Sequence, residues 1–302
     1  MSKVVKSPGS ATIINAISTG LGSAFGIDLN ITAEAKFSDI GIVCSSDLGV
    51  NPNLMNICVK KVLDYYNISS EKSLDDLLGN LELENGEGIQ IRTKSNLPLG
   101  SGLSSSSALS NSVVLATASL LSEEFSLKPL DDFELINLGI DASLEAGVTI
   151  TGAFDDASAS YFGGVTITDN GKRKILHQEK LEERTILVFM PDKESLSGSS
   201  DVNRMKLIAP YVKLAFEKAM NRDYFEALTL NGLLYGSVLN FDNNIALDAL
   251  SAGALASGLS GTGSSFVAIV EDDSIDEVKQ AWIKYDGEII ETKINNDGTR
   301  LI

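Results

Sequence analysis

The chain is poor in the side chains that carry redox, disulfide and soft-metal chemistry. Among 302 residues there are two Cys, Cys44 and Cys58, and one His, His177. Two thiols cannot build a disulfide framework, and one imidazole cannot anchor a His-based metal centre. Positive charge is scarce as well. Lys and Arg number 24 against 41 Asp and Glu, a formal net charge of −17. Such a field repels nucleic acid and anionic membranes, which argues against both as partners. A nucleotide bound to this chain would need local hydrogen-bond donors and a divalent cation. No apolar run of about 18 residues and no leader-like N-terminus occurs, so a cytoplasmic protein is expected. Nothing in the pattern speaks to oligomeric state.

What is present is an ordinary globular composition. Hydrophobic residues make up 43%, enough for a sizeable core, and the length suits about two domains. One segment stands out: Pro98, Leu99, Gly100, Ser101, Gly102, Leu103, Ser104, Ser105, Ser106, Ser107, Ala108. It follows a strand-like stretch with Ile89 and Ile91, and it opens a helix with Leu109, Val113, Ala116 and Leu120 on one stripe. A glycine turn entering a helix presents backbone N–H groups at the positive end of the helix dipole, which suits phosphate. It lacks the Lys of the common phosphate loop. On the residues alone it reads equally as a Ser-capped helix start.

Three further clusters accompany it. Gly258–Ser265 places three glycines just before the apolar strand Phe266–Val270; by itself it is a tight turn. Thr151–Asp156 brings Asp155 and Asp156 together, with Glu145 ten residues before Asp155. Carboxylates near a phosphate site can hold magnesium or accept a hydroxyl proton, and they can equally cap a helix. Gly20–Asp28 has small residues that would let a ligand lie against a strand, or simply mark a bulge.

Between these clusters the pattern predicts strands and helices in both halves. A strand at Val4–Val5 resumes over Ala11–Ile17 after a turn at Ser7–Ser10. A half-buried strand covers Phe25, Ile27, Leu29 and Ile31. Helices are expected over 52–66 and 131–146, a short helix and loop over 68–85, and a strand over Tyr161–Thr168. Asp169-Asn170-Gly171 signals a turn and a change of unit. Beyond it come a strand at Thr185–Met190, helices over 201–220, 222–239, 244–257 and 274–284, and a closing strand over 287–293. The fold class is α+β, divided as 1–170 and 171–302.

Taken in order, these segments resemble the superfamily of galactokinase, homoserine kinase, mevalonate kinase and phosphomevalonate kinase, the GHMP kinases. Its members carry an N-terminal Pro-Gly turn, a central Pro-x-Gly-x-Gly-Leu-Gly-Ser-Ser-Ala loop and a C-terminal Gly-rich motif. Within it the chain looks most like the archaeal-type shikimate kinases, on Ser10–Ile17, Gly22–Leu29 and Glu145–Ala157. Ser10 stands where mevalonate kinases carry Lys, which disfavours mevalonate.

The resemblance implies a two-domain fold, ribosomal-protein-S5-like and then ferredoxin-like, with the active site between the domains. It implies ATP and Mg2+ as cofactors and shikimate as the small-molecule substrate, phosphorylated at its 3-hydroxyl. The loop 98–107 would hold the triphosphate, with Gly261 and Gly263 shaping the site. Ser105, Ser106 and Glu145 would hold magnesium. Asp155 would orient or deprotonate the acceptor hydroxyl, with Asp156 beside it as the alternative. Asn15, Ser23 and Asp28 would meet substrate hydroxyls. Arg204, at the start of a helix after a closing loop over 193–200, would meet the substrate carboxylate; Arg92 and Lys193 are the other cations in view. A sister kinase such as a homoserine kinase, or a nucleotide-sensing protein that has lost catalysis, shares most of these features.

Overall fold

A computed structural model describes residues 2–39, 41–49, 51–67, 88–192 and 201–302. The short helix and loop expected over 68–85, and the closing loop over 193–200 with Lys193, lie outside the described residues.

The first sheet is built on two long strands, β1 (Ser2–Ile14) and β2 (Leu21–Ser38), paired antiparallel along most of their length. β3 (Ile42–Ser46) runs parallel to β4 (Gly88–Ser95), which pairs with the far half of β2. Helix α1 (Asn53–Tyr65) lies between β3 and β4 in the chain, and α2 (Ser105–Glu124) and α3 (Asp132–Glu145) follow β4. Asp131 and Glu134 form a reciprocal capping box at the start of α3, worth about 1 kcal/mol. α4 (Phe154–Phe162) leads into β5 (Val165–Asp169), which pairs with the near half of β2, and β6 (Lys174–Glu179) pairs with β5. The position 170/171 expected to divide the chain therefore falls inside the β5–β6 hairpin.

The second sheet contains β7 (Thr185–Pro191), β8 (Ala256–Leu259), β9 (Phe266–Val270) and β10 (Gly287–Lys293), in the order β10-β7-β9-β8 and antiparallel throughout. Among the described residues four helices intervene between β7 and β8: α5 (Val202–Lys206), α6 (Ala209–Met220), α7 (Tyr224–Leu239) and α8 (Asn244–Ser251). α9 (Ile275–Trp282) connects β9 to β10. This strand order is the ferredoxin-like arrangement. The chain then returns to the first sheet, where β11 (Arg300–Leu301) pairs with β1. No described helix is long and apolar enough to cross a membrane.

Four expectations are corrected by the backbone. The turn at Ser7–Ser10 is instead a bulge within one continuous strand, with the register jumping between Pro8/Asn30 and Gly9/Ile27. Pro8 offers no N–H, so a bulge is where a strand tolerates it. Tyr161 and Phe162 end α4 rather than beginning a strand; Gly163 at φ +71° and Gly164 at φ +63° make the turn into β5. The helix expected over 201–220 is broken at Leu207 and Ile208, with Pro210 in the first turn of α6. The helix expected to reach residue 257 stops at Ser251, and the fully buried Ala256–Leu259 is β8. A four-residue buried strand has no period of its own for a sequence to display.

α2 carries the geometry of the site. Thirteen of its residues are buried, many of them Ala, Ser or Asn, and it packs across β1 and β2. Small side chains let the helix lie close to the sheet, and its N-terminus opens at the seam between the two halves. α7 closes the other side, packed against both β8 and β1.

Candidate active site

A cavity of about 620 Å3 opens at that seam. This is the size of a small-molecule site. Six segments converge on it: the end of β1, the start of α1, the turn before α2 with the first turns of that helix, the loop 147–151, the first turn of α4 and the turn between β8 and β9.

The turn before α2 departs from β4 and reaches the helix through three left-handed residues, Gly100 (φ +64°), Gly102 (φ +79°) and Ser104 (φ +62°). Ser104 occupies the N-cap position, yet its side chain does not cap the helix. Its hydroxyl instead accepts from Ser10 Oγ at 2.6 Å. The first N–H groups of α2 are therefore left without a side-chain partner, at the positive end of a 20-residue helix. Leu99, Gly100, Gly102, Ser104, Ser105 and Ser106 line the cavity. Other residues of the motif are structural. Leu103 is fully buried, and its carbonyl accepts from Ser10 N at 3.2 Å. Ser101 Oγ closes the turn onto the Pro98 carbonyl at 3.0 Å, and Ser107 is buried within the helix.

Asp155 and Asp156 both line the cavity from the first turn of α4. Asp155 is 4% exposed, and its Oδ1 accepts from Asn170 Nδ2 at 2.7 Å. Its side chain fills the space over Gly22, where a methyl group would run into Oδ2. The small residues of Gly20–Asp28 thus make room for an aspartate rather than for a ligand. Asp156 faces the hydroxyls of Ser104 and Thr12, and its buried Oδ1 has no hydrogen-bond partner. Burial pushes the Asp155 carboxyl above its ordinary range, against the pull of Asn170. Asp156 is pushed well above it, by burial first and then by the neighbouring Asp155 charge.

Asn15 lines the cavity just beyond the end of β1. Its Nδ2 donates to the Gly261 carbonyl at 2.9 Å, tying the end of β1 to the β8–β9 turn. Gly261 (φ +60°) and Gly263 (φ +89°) line the opposite wall with Thr262.

Five residues considered for the site are not brought to the cavity. Glu145 is 55% exposed at the end of α3 and pairs with Lys61 Nζ of α1 at 2.6 Å. Ser23 is fully buried on β2, its Oγ unpartnered. Asp28 pairs with Lys6 at 3.5 Å and accepts from Asn30 and Asn295. Arg204 donates to Asn240 at 3.1 Å on the surface of α5. Arg92 is exposed on β4. Each was selected for its chemistry, and side-chain direction at a strand or helix end depends on neighbours far away in sequence. Thr12 and Ser260 went unselected because their contacts lie between segments about 250 residues apart.

The comparisons with known proteins agree with this geometry. The profile of the GHMP kinases N terminal domain matches residues 53–164, and that of the GHMP kinases C terminal region matches 214–288. The shikimate kinase of Methanobrevibacter smithii is 57% identical over 302 residues, all of both chains. The chain belongs to the GHMP kinases, among the archaeal shikimate kinases. The shikimate kinase of Methanothermobacter thermautotrophicus is 50% identical over 300 residues, covering 99% of this chain and 98% of that one. In fold, this GHMP kinase superposes on the mevalonate kinase of Methanococcus jannaschii with a TM-score of 0.73 at 19% identity, over 97% of this chain and 98% of that one.

Proposed function

We propose that the protein is a shikimate kinase, transferring the γ-phosphoryl group of ATP to the 3-hydroxyl of shikimate on the way to chorismate. The observation that carries this reading is the pairing of an uncapped helix N-terminus with a buried carboxylate, Asp155, and a half-buried one, Asp156, across one cavity, in a chain related end to end to shikimate kinases. Phosphoryl transfer demands positioning and charge stabilisation more than covalent chemistry.

The triphosphate lies against the backbone N–H groups at the start of α2 and the left-handed turn before it. Leu54, Leu99, Leu109, Val148 and Ile150 give the cavity an apolar end suited to a nucleobase. The hydroxyls of Ser105 and Ser106 and the carboxylates of α4 are hard oxygen donors, and the unpartnered Asp156 Oδ1 fits a divalent ion such as Mg2+. When bound, the ion neutralises charge on the phosphates. Glu145 is outside this set while Lys61 holds it. Asp155, kept closer to its charged form by the Asn170 donor, orients the acceptor hydroxyl and takes its proton. Asn15 and Thr12 stand on the acceptor side.

The test is an ADP-release assay with ATP and Mg2+, offering shikimate, homoserine and mevalonate separately. Turnover is expected with shikimate alone. Turnover with homoserine alone would keep the kinase and replace the substrate; no turnover with any acceptor despite ATP binding would favour a sensing role.

A further inference from the structure

The two glycine turns facing each other across the cavity are not independent, and one side chain joins them. Ser260, 1% exposed at the start of the β8–β9 turn, makes two hydrogen bonds through a single hydroxyl. Its Oγ accepts from the Thr12 backbone N–H at 3.1 Å and donates to the Gly102 carbonyl at 2.8 Å. Thr12 belongs to β1 and faces the Asp156 carboxyl; Gly102 is the left-handed residue through which the turn enters α2. The hydroxyl therefore spans three segments: the acceptor side, the phosphate side and the second sheet.

The surroundings leave it little freedom. A methyl group at Gly102 would run into the Ser260 carbonyl, so the two backbones touch. A second bond, Ser265 N to the Ser101 carbonyl at 3.0 Å, holds the far end of the same contact. With both ends fixed, the direction of the Gly102 carbonyl sets the plane of the Gly102–Leu103 peptide. Its N–H direction follows from that plane, because the peptide is rigid. Both partners of the hydroxyl are backbone groups with fixed directions, as a device that sets distance requires.

We propose that Ser260 is a positioning residue that sets the separation between the triphosphate turn and the acceptor side of the cavity. It touches neither substrate and acts through Gly102 and Thr12. The proposal rests on the kinase reading above for its activity readout, but not for its structural one. A displacement near 1 Å between reacting groups lowers turnover by about a hundredfold.

Ser260→Ala and the near-isosteric Ser260→Cys are compared with the unmodified protein. Both variants are expected to lower kcat for shikimate about 10- to 100-fold, while the KM of each substrate moves less than about threefold. Hydrogen exchange of the Thr12 amide is expected to accelerate at least about tenfold in Ser260→Ala, because its acceptor is gone. A variant that melts earlier yet keeps full kcat would reduce Ser260 to a structural role and overturn the proposal. Full kcat in Ser260→Cys, which keeps the volume and weakens the hydrogen bonds, would also overturn it. If the unmodified protein does not phosphorylate shikimate, the functional reading fails separately. The Thr12 amide then decides the matter: unchanged exchange overturns the proposal, accelerated exchange upholds the contact.

Discussion

Pro98–Ser104 and Ser260–Ser265 are both short Gly/Ser turns, each with two glycines at positive φ, and they touch each other at Gly102 and Gly261. The first runs into a 20-residue helix; the second joins two antiparallel strands. That difference decides what their backbones can do. In the hairpin three of the six N–H groups are already engaged: Ser260 N with the Ser265 carbonyl at 2.9 Å, Gly263 N with Ser260 at 3.0 Å, and Ser265 N with Ser101 at 3.0 Å. At the helix the first-turn N–H groups have no side-chain cap, because Ser104 is turned toward Ser10. One wall of the cavity therefore offers donors and, from α4, carboxylates. The other has half of its N–H groups spent and carries no carboxylate. Gly/Ser content does not distinguish a phosphate cradle from a wall; the element that follows the turn does.

The largest expected effect lies on the first wall. Asp155→Asn should lower kcat about 10²- to 10⁴-fold, the range for removing a general base, with ATP affinity changed less than about threefold. The matching change on the second wall, Thr262→Ala, should cost less than about tenfold in the same ADP-release assay, since Thr262 carries no titrating group. Comparable losses would erase the division between the walls. The glycines sharpen it further. Gly102→Ala meets both an unfavourable φ of +79° and the Ser260 carbonyl, so kcat/KM for ATP should fall about 10- to 100-fold. Gly261→Ala has a similar φ of +60°, but its new methyl would stand 3.3 Å from the Gly102 carbonyl. Strain of about 1–2 kcal/mol should then appear chiefly as lost stability, measured by denaturant titration. If Gly261→Ala reduced ATP use as strongly, the second wall would be binding phosphate as well.

Much of this was legible in the sequence, and the reasons are local. Helix-entry chemistry at 98–108 sits in consecutive residues, as does the apolar run of β7, whereas the single apolar stripe expected of α2 gives way to a helix buried on every side over 107–114. The family resemblance rests on the same contiguous motifs. What could not be read depends on distant partners. Gly22 looked like a ligand shelf and is a seat for Asp155, a fact that needs β2 and α4 side by side. Glu145 looked like a metal ligand until α1 supplied Lys61. Ser23 and Asp28 occupy a strand beside the site, and only the pleat and the neighbouring tail decide where they point. α4 was missed because its small residues and flanking glycines imitate a loop, and its N-cap, Ala153, carries no capping side chain. β8 was missed because its four buried residues continue the composition of the preceding helix.

The smallest expected effect tests why the first wall is uncomfortable for the fold. Asp156 has its carboxyl pushed well above the ordinary 3.8, by burial and by the adjacent Asp155 charge. A carboxyl with a raised folded pKa binds its proton more tightly in the folded state than in the unfolded one. Well below the ordinary value of 3.8 both states are protonated and the group is neutral to stability. As pH rises through the ordinary value toward the folded one, the unfolded chain ionises first and the folded state is progressively disfavoured. Asp156→Asn removes that titration and the repulsion acting on Asp155. The variant should therefore melt higher than the unmodified protein at pH 7.5, by about 2–4 °C, the shift that roughly 1 kcal/mol produces in a chain of this size. The difference should shrink as pH is lowered toward 4. A higher Tm with reduced turnover would mark Asp156 as a residue kept for chemistry against stability. A lower Tm for the variant at every pH would instead make the carboxyl a stabilising partner of Ser104 and Thr12, and the first wall would owe no strain to it.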